Sequence, residues 1–158
     1  MKKFMLMALV AIAVILFLLF RRISGVILPL LTVALSLLST LGLMALLGIP
    51  FKLPTQILPS FLLAVGVGAS VHLLAVFFRH LQEMHKNNAV GREPSEMKAE
   101  AIAYALGHSG LAIVMTSLTT AAGLASFTGA DVAPIAELGL FAAVGIMLSL
   151  VYTIVLLP

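Results

Sequence analysis

The sequence contains no cysteine, so disulfide bonds and thiol chemistry are excluded. Charged residues are also scarce: Asp, Glu, Lys and Arg together make up 9% of the 158 residues, against about 25% in typical soluble domains. A chain with so little charge cannot cover a folded core with polar surface in water. A soluble globular domain is therefore excluded as well.

Sequence signatures of enzymes are missing too. No phosphate-binding loop, metal-ligand cluster or nucleophile–base pair stands out, so we predict no enzymatic activity, no metal and no cofactor. The net charge is only +3, and the basic residues lie at the ends of apolar runs rather than in a patch. The sequence pI of 9.6 therefore does not indicate a nucleic-acid partner.

What the sequence does contain is apolar residues, at 62% of the chain and with a mean hydropathy of +1.22. Crossing the hydrocarbon core of a bilayer takes about 20 apolar residues as a helix. Five long segments carry no Asp, Glu, Lys or Arg, and their apolar runs are continuous rather than alternating, which excludes a barrel. We predict an all-α membrane protein with five spanning helices, at about residues 4–20, 25–47, 57–79, 106–128 and 135–157.

The long polar stretch of the chain lies between the third and fourth predicted spans. From Pro94 onwards it has the composition of a helix, with proline and acids in the first turn. One face of this helix carries Met97, Ala101, Tyr104 and Ala105. We therefore predict, within a cytoplasmic amphipathic segment at residues 80–105, a helix that lies at the membrane interface and leads into the fourth span.

Lys and Arg set the expected orientation. Alternation of the five spans places six cations on one side, namely Arg21, Arg22, Arg79, Lys86, Arg92 and Lys98. The other side receives Lys2, Lys3 and Lys52. The excess predicts that the first side is cytoplasmic, with the N-terminus outside and the C-terminus inside, although a start of Met-Lys-Lys before an apolar run normally stays inside. Arg21–Arg22 replaces the small residues of a signal-peptide cleavage site, which argues against cleavage.

Ionisable groups inside the membrane are candidates for a functional role, because placing a charge there costs about 2.5–3.5 kcal/mol. His72 precedes Arg79 by seven residues, about 10 Å of helix. An imidazole can exchange a proton near neutral pH, but it can equally be neutral and hydrogen-bonded to another helix. Glu137 lies one turn into the last span. Its carboxylate is consistent either with a gating role or with a favourable charge at the positive end of the helix dipole.

Small residues are concentrated in two spans. The third span contains Gly66, Gly68, Ala69 and Ser70. The fourth contains the segment TSLTTAAGLASFTG, with Thr119, Thr120 and Gly123. Small residues allow helices to approach closely in lipid, so helix packing is one interpretation. The alternative is that the two spans form the polar seam of a transporter, and composition alone does not choose between them.

Three segments in order resemble a known pattern: GLMALLGIPFKLPTQILPSFLLAVGVGASVHLL, ALGHSGLAIVMTSLTTAAGLASF and DVAPIAELGLFAAVGIMLSLVYTIVLLP. They are similar to one half of a resistance–nodulation–division transporter. The branch in question contains the mycobacterial large membrane proteins and the hopanoid transporters, whose membrane core is related to the sterol-sensing domain of Patched-like proteins.

The resemblance implies an architecture larger than this chain. Each half of such a transporter has six helices, with a periplasmic domain after the first, and the chain resembles the second to the sixth. It is therefore expected to be a fragment or a split subunit that works with a periplasmic domain and a second half. The expected location is the bacterial inner membrane.

One motif bears directly on mechanism. In this family the fourth helix often carries G-x-x-D-S-x-H, whose acid couples proton flow to conformational change. Gly66, Ser70 and His72 match the pattern, but Ala69 occupies the acidic position, and alanine cannot carry a proton. Either His72 inherits the coupling role, or the other half supplies it, or this half is a structural partner.

These features predict a membrane-domain half of a proton-motive-force-driven exporter of lipids or other hydrophobic compounds. The expected proton carrier is His72, with Ser70, Thr119 and Thr120 as hydrogen-bonding relay and Glu137 as gate or helix-capping group. The expected helix-packing positions are Gly66, Gly68, Ala69 and Gly123. Two alternatives remain: a lipid-sensing scaffold domain that does not transport, and an inactive truncated transporter.

Overall fold

The computed structural model describes residues 2–21, 23–86 and 94–156. Within these ranges the chain forms five α-helices and no strand: α1 (Lys2–Phe20), α2 (Ser24–Leu46), α3 (Leu58–Lys86), α4 (Pro94–Ala125) and α5 (Ala133–Leu156). Short 3₁₀ turns at Pro54–Ile57 and Ser126–Gly129 lie in the connections. The predicted all-α class is therefore confirmed.

In the described part of the chain, four helices are long and apolar enough to cross a membrane: α2, α3, α4 and α5. They make the chain a multi-pass membrane protein. α1 has 19 residues, but its apolar stretch with described side chains covers only Leu9–Phe20, which is shorter than the run of about 20 residues that crosses a membrane. The predicted first span at residues 4–20 forms a helix, but its role as a fifth span is not confirmed.

The predicted amphipathic segment at residues 80–105 is not a separate helix where the structure describes it. Its first residues continue α3 as far as Lys86, and its last residues begin α4 at Pro94. No glycine or proline interrupts the chain between residues 79 and 86, so nothing there breaks α3. Residues 87–93, which include Arg92 of the orientation prediction, lie outside the described residues, and so does Arg22.

The apolar face of that segment packs on protein. Met97 and Ala101 are buried against Leu81 near the end of α3, and Ala105 is buried against Leu73. Only Tyr104 of the predicted face is exposed, and its ring stacks on the His80 ring at 3.8 Å between centroids. A face suited to a membrane interface suits a neighbouring helix equally well, which is why the sequence did not distinguish the two.

The end of α2 shows how the chain leaves a span. Gly48 has a φ of +69°, a left-handed conformation that glycine adopts without strain. Its N–H donates to the Ala45 carbonyl at 3.1 Å, and the Ile49 N–H donates to the Met44 carbonyl at 3.0 Å. This pair of bonds is a Schellman motif, which satisfies carbonyls that the helix end would leave unpaired in an apolar environment.

The core is organised around α5, which packs against α2, α3 and α4. Phe141 and Ile146 of α5 are 1% exposed and contact Leu58 and Leu62 of α3. Gly145 brings the backbones together, because a Cβ there would lie 2.7 Å from the Leu62 side chain. Three helices thus surround α5, and a separate contact joins α3 and α4 along their length.

Candidate functional site

A cavity of about 400 Å³ lies between α3 and α4. Its lining comes from one face of each helix: Ala64, Val65, Gly68, Ala69 and His72 of α3, and Ala112, Ile113, Thr116, Ser117 and Thr120 of α4. We call it the α3–α4 groove. Its size and its mainly apolar lining with a few polar groups are typical of small-molecule sites.

Small residues create this groove. A Cβ at Gly68 would meet no atom within 4 Å, so the missing side chain leaves open space. Ala69 is half-buried and lines the same space. A Cβ at Gly123 would also meet nothing within 4 Å. Gly68 and Gly123 therefore make no close contact with another described helix, and their role as packing positions stays a prediction.

The groove holds part of the predicted relay. His72 and Thr120 both line it, whereas Thr119 is exposed and does not. The Thr120 hydroxyl donates to the Thr116 carbonyl at 2.7 Å, and the Thr119 hydroxyl donates to the Met115 carbonyl at 2.9 Å. Because each hydroxyl hydrogen is already used within α4, Thr120 offers only acceptor lone pairs to the groove.

Ser70 lies on the opposite face of α3, in a sealed cluster of hydroxyls. Its Oγ is 3.2 Å from Thr32 Oγ1 of α2 and 3.3 Å from Thr153 Oγ1 of α5, and all three residues are 0% exposed. We call Thr32, Ser70 and Thr153 the hydroxyl cluster. The predicted relay of His72 with Ser70 is thus divided between two sides of one helix.

The direction of the hydrogen bonds in the hydroxyl cluster follows from proton counting. Thr32 donates its hydroxyl hydrogen to the Pro29 carbonyl at 2.8 Å. A hydroxyl has one hydrogen, so Ser70 donates to Thr32, and Thr153 in turn donates to Ser70. The cluster is therefore an ordered chain of three bonds that joins α5 to α3, α3 to α2, and Thr32 to the Pro29 carbonyl within α2.

Sequence reasoning singled out Ser70 but missed its partners. Their signal is helical spacing: α2 carries Thr32, Ser36 and Thr40, each four residues apart, and α5 carries Ser149 and Thr153. Residues four apart share one helix face, and all five are buried. Hydroxyls that recur every four residues on two different apolar helices therefore indicated a polar contact between those helices.

Gly66 belongs to this sealed side of α3. A Cβ at Gly66 would lie 2.7 Å from Ser149 Oγ and 2.7 Å from Val33 Cγ2, so no side chain fits. Gly66 and Ser70, four residues apart, face α2 and α5, while Gly68 and His72, also four apart, face the groove. α3 therefore separates a closed hydroxyl contact from an open cavity.

Glu137 lies away from both sites, at the start of α5. Its carboxylate oxygens accept hydrogen bonds from Lys52 Nζ at 2.7 and 2.9 Å, and the two side chains are 23% and 33% exposed, respectively. The Lys52 backbone is held in turn by Thr55, whose Oγ1 accepts from the Lys52 N–H at 2.8 Å. The ion pair therefore connects the α2–α3 loop to α5.

Lys52→Glu is expected to lower the free energy of unfolding by about 1 kcal/mol, the upper value for exposed ion pairs, because it places two carboxylates together. The exchange Lys52→Glu with Glu137→Lys restores opposite charges and is expected to recover most of the loss. The midpoint of thermal unfolding in detergent measures both effects. Equal midpoints for the single and the exchanged variants would show that the contact is unimportant.

The fold defines an all-helical, multi-pass membrane protein with a mainly apolar groove between two of its helices. Residues 2–158 match the Patched family, in the part described as the Patched sterol-sensing domain. The chain belongs to this family. The relation to Patched-like membrane cores is therefore confirmed, whereas the narrower branch of hydrophobe exporters remains a prediction. No solved structure matches the chain.

A protein of Methanocaldococcus jannaschii, whose name describes it only as a membrane protein, is 31% identical to the chain over 150 residues. The match covers 95% of this chain but 36% of the relative. The chain thus spans about a third of the length of that protein.

Proposed function

We propose that the chain is the membrane domain of a transporter that exports lipids or other hydrophobic compounds, with the α3–α4 groove as a binding site for the hydrophobic cargo. The groove carries this proposal: it is mainly apolar, has a volume of about 400 Å³, and is lined by the polar side chains of His72 and Thr120, which are accessible to an amphiphile. Membership of the sterol-sensing family supports a lipid-related role.

The proton-motive force is proposed as the energy source, with His72 as the proton carrier. His72 is exposed to the groove, so its imidazole can exchange protons with water or with a bound polar group. Thr120 supplies acceptor lone pairs to the same groove. Ser70 acts from the sealed side of α3, where a shift of the helix would stretch the hydroxyl cluster. Thr119 is exposed on α4 and would join the relay only if α4 rotated.

The proposed assembly includes a second transporter half and a periplasmic domain in a bacterial inner membrane. All five helices would span the bilayer, with the N-terminus outside and the C-terminus in the cytoplasm. The position of the cations supports this orientation. Phe20 and Phe78 are in ring contact at 5.5 Å, so Arg21 and Arg79, which follow them in the chain, lie at one end of the bundle. The Lys52–Glu137 pair would hold the outer gate.

A lipid-sensing scaffold is the second candidate, and Ala69 favours it. The residue lines the groove three positions before His72, where the resembling transporters often carry the coupling acid. A groove that binds lipid without an acid can report membrane composition to a partner without moving the lipid. The two candidates share the binding site and differ in gradient-dependent flux.

Lipid flux driven by a pH gradient in the unmodified protein separates these candidates, and His72→Ala tests the proton carrier. We expect a photoreactive lipid analogue to label α3 and α4 in vesicles. In vesicles that hold the chain with the remainder of the transporter, we expect the variant to lower pH-gradient-driven lipid flux at least tenfold. His80→Ala, which removes an imidazole outside the groove, is the control and should keep that flux.

Each outcome has a distinct meaning. Labelling of the groove without gradient-dependent flux in the unmodified protein supports the scaffold. Flux that persists in His72→Ala at every pH removes His72 from the mechanism. Absence of labelling on both α3 and α4 contradicts the binding site itself.

A further inference from the structure

A second cavity, of about 480 Å³, lies between the last turns of α3 and the first turns of α4. Its apolar lining comes from Phe78, Leu81 and Met97. Its polar lining comes from Gln82, His85, Lys86 and Lys98. We call it the basic cavity. No carboxylate is among its described lining residues, and it shares no residue with the α3–α4 groove.

The basic cavity lies at the depth of lipid headgroups. α3 has 29 residues, about 43 Å of helix, whereas the hydrocarbon core is about 30 Å thick. Counted from Leu58, the first 20 residues span the hydrocarbon, so Phe78 lies at its edge. Lys86 lies eight residues further along, about 12 Å into the headgroup layer and the water beyond it. The apolar part of the cavity therefore meets acyl chains, and the cationic part meets headgroups.

The cations of this cavity are not neutralised by any residue that the structure describes. Lys86 and Lys98 are exposed and form no ion pair with any described residue. His85 Nδ1–H donates to the Leu81 carbonyl at 2.8 Å, which leaves Nε2 as the remaining donor position of a protonated ring. Arg79, on a neighbouring face, differs: its Nε donates to Glu83 at 3.2 Å.

We propose that the basic cavity binds the headgroup phosphate of an anionic glycerophospholipid. Lys86 and Lys98 would hold the phosphate, and one acyl chain would lie against Phe78, Leu81 and Met97. Charge complementarity favours a phosphate diester, because the described lining contains two ammonium groups without an ion pair to a described residue and contains no acid. Continuity of the apolar lining with the hydrocarbon edge favours a lipid over a soluble anion. This site is independent of the groove and of the proposed transport.

The chain contains no tryptophan, so Phe78→Trp places a single tryptophan, which can be excited selectively over the two tyrosines, in the cavity. The full chain with this change is placed in vesicles that contain brominated phosphatidylglycerol or brominated phosphatidylcholine, and quenching reports which lipid occupies the site. Each lysine near the surface contributes about fivefold in binding to anionic lipid. We expect a preference for phosphatidylglycerol of roughly twentyfold, which Lys86→Gln with Lys98→Gln reduces to near one.

The matched control is Arg21→Gln with Arg79→Gln, which removes two cations from the same end of the bundle but outside the cavity. It should keep the preference within about twofold, since charges outside the site contribute only through the surface potential. Native mass spectrometry of the chain with Phe78 unchanged provides a second measure. We expect phosphatidylglycerol to stay bound to the parent chain and to be lost from the lysine variant.

Three results would overturn the proposal. Equal quenching by the two lipids would show that the cavity does not select an anionic headgroup. An equal loss in the arginine control would show a general effect of surface charge. Removal of quenching by millimolar inorganic phosphate would assign the cavity to a soluble anion.

Discussion

Gly139→Ala is expected to lower the free energy of unfolding by about 1–3 kcal/mol, the usual cost of overpacking a close contact. A Cβ at this buried position would lie 2.6 Å from the Leu124 carbonyl oxygen and 2.6 Å from Phe127 Cβ. The carbonyl oxygen is backbone, and Phe127 lies in the 3₁₀ turn Ser126–Gly129, so neither neighbour moves without shifting α4 or its end. A single methyl group should therefore loosen the contact between α4 and α5.

Gly123→Ala is the matched control, because it makes the same change in α4 where a Cβ meets nothing within 4 Å. Alanine is favoured over glycine in a helix by about 1 kcal/mol, so this variant should be as stable as the parent or more stable. The midpoint of thermal unfolding, followed by circular dichroism in detergent, compares the two. Similar midpoints for both variants would contradict the close approach at Gly139.

The second large effect is expected in α3, where Gly68→Leu should abolish ligand binding without unfolding the protein. The new side chain would enter the α3–α4 groove, which is open at this point. We expect photolabelling of the groove by the lipid analogue to fall at least tenfold, with an unfolding midpoint close to that of the parent.

Gly66→Leu makes the same change two residues away. It is expected to destabilise the protein, whereas Gly68→Leu is expected to leave the stability unchanged. The Cβ at position 66 alone would approach Ser149 and Val33 to 2.7 Å, so a leucine there would separate α3 from α2 and α5. We expect a loss of at least about 3 kcal/mol in stability, the upper range for overpacked cores. If Gly66→Leu folded normally while Gly68→Leu did not, the assignment of the two faces of α3 would be reversed.

The two faces of α3 suggest how a change in the groove would reach the rest of the bundle. His72 faces the cavity, and Ser70 holds α3 to α2 and α5 through Thr32 and Thr153. Hydrogen bonds of this kind between membrane helices contribute about 0.6 kcal/mol each on average. They are weak enough for a ligand or a proton in the groove to shift α3, yet they define the resting position of the helix.

The boundaries of the helices were largely predictable from the sequence. The length of each apolar run and the prolines and glycines between the runs placed both ends of α2 and α5 and the start of α3 close to their observed limits, because a helix in lipid must satisfy its own backbone groups. The third span was expected to end at residue 79, whereas α3 continues to Lys86; α4 begins at Pro94, where a helix was predicted, but it runs into the span without a break. There the apolar face with Met97 and Ala101 could cover either a lipid surface or another helix.

The candidate site was only partly predictable. His72 and Thr120 were singled out and share the groove, but Glu137 pairs with Lys52 at a distance from it. The lysine is 85 positions away in the chain, and no local pattern relates the two. The open space at Gly68 was equally unpredictable, because the sequence does not distinguish a glycine that permits helix contact from a glycine that leaves a void.

By itself, the sequence determined that the chain crosses a membrane as helices, and that hydroxyls and small residues lie at helical spacing on α2, α3 and α5. Only the tertiary structure decided which of these faces meet. Gly66 and Gly68 are two residues apart and so point about 200° away from each other around α3. Periodicity therefore shows that they lie on opposite sides. The packing of α2, α4 and α5 around the helix then decides which side is closed and which is open, because those contacts join residues far apart in the chain.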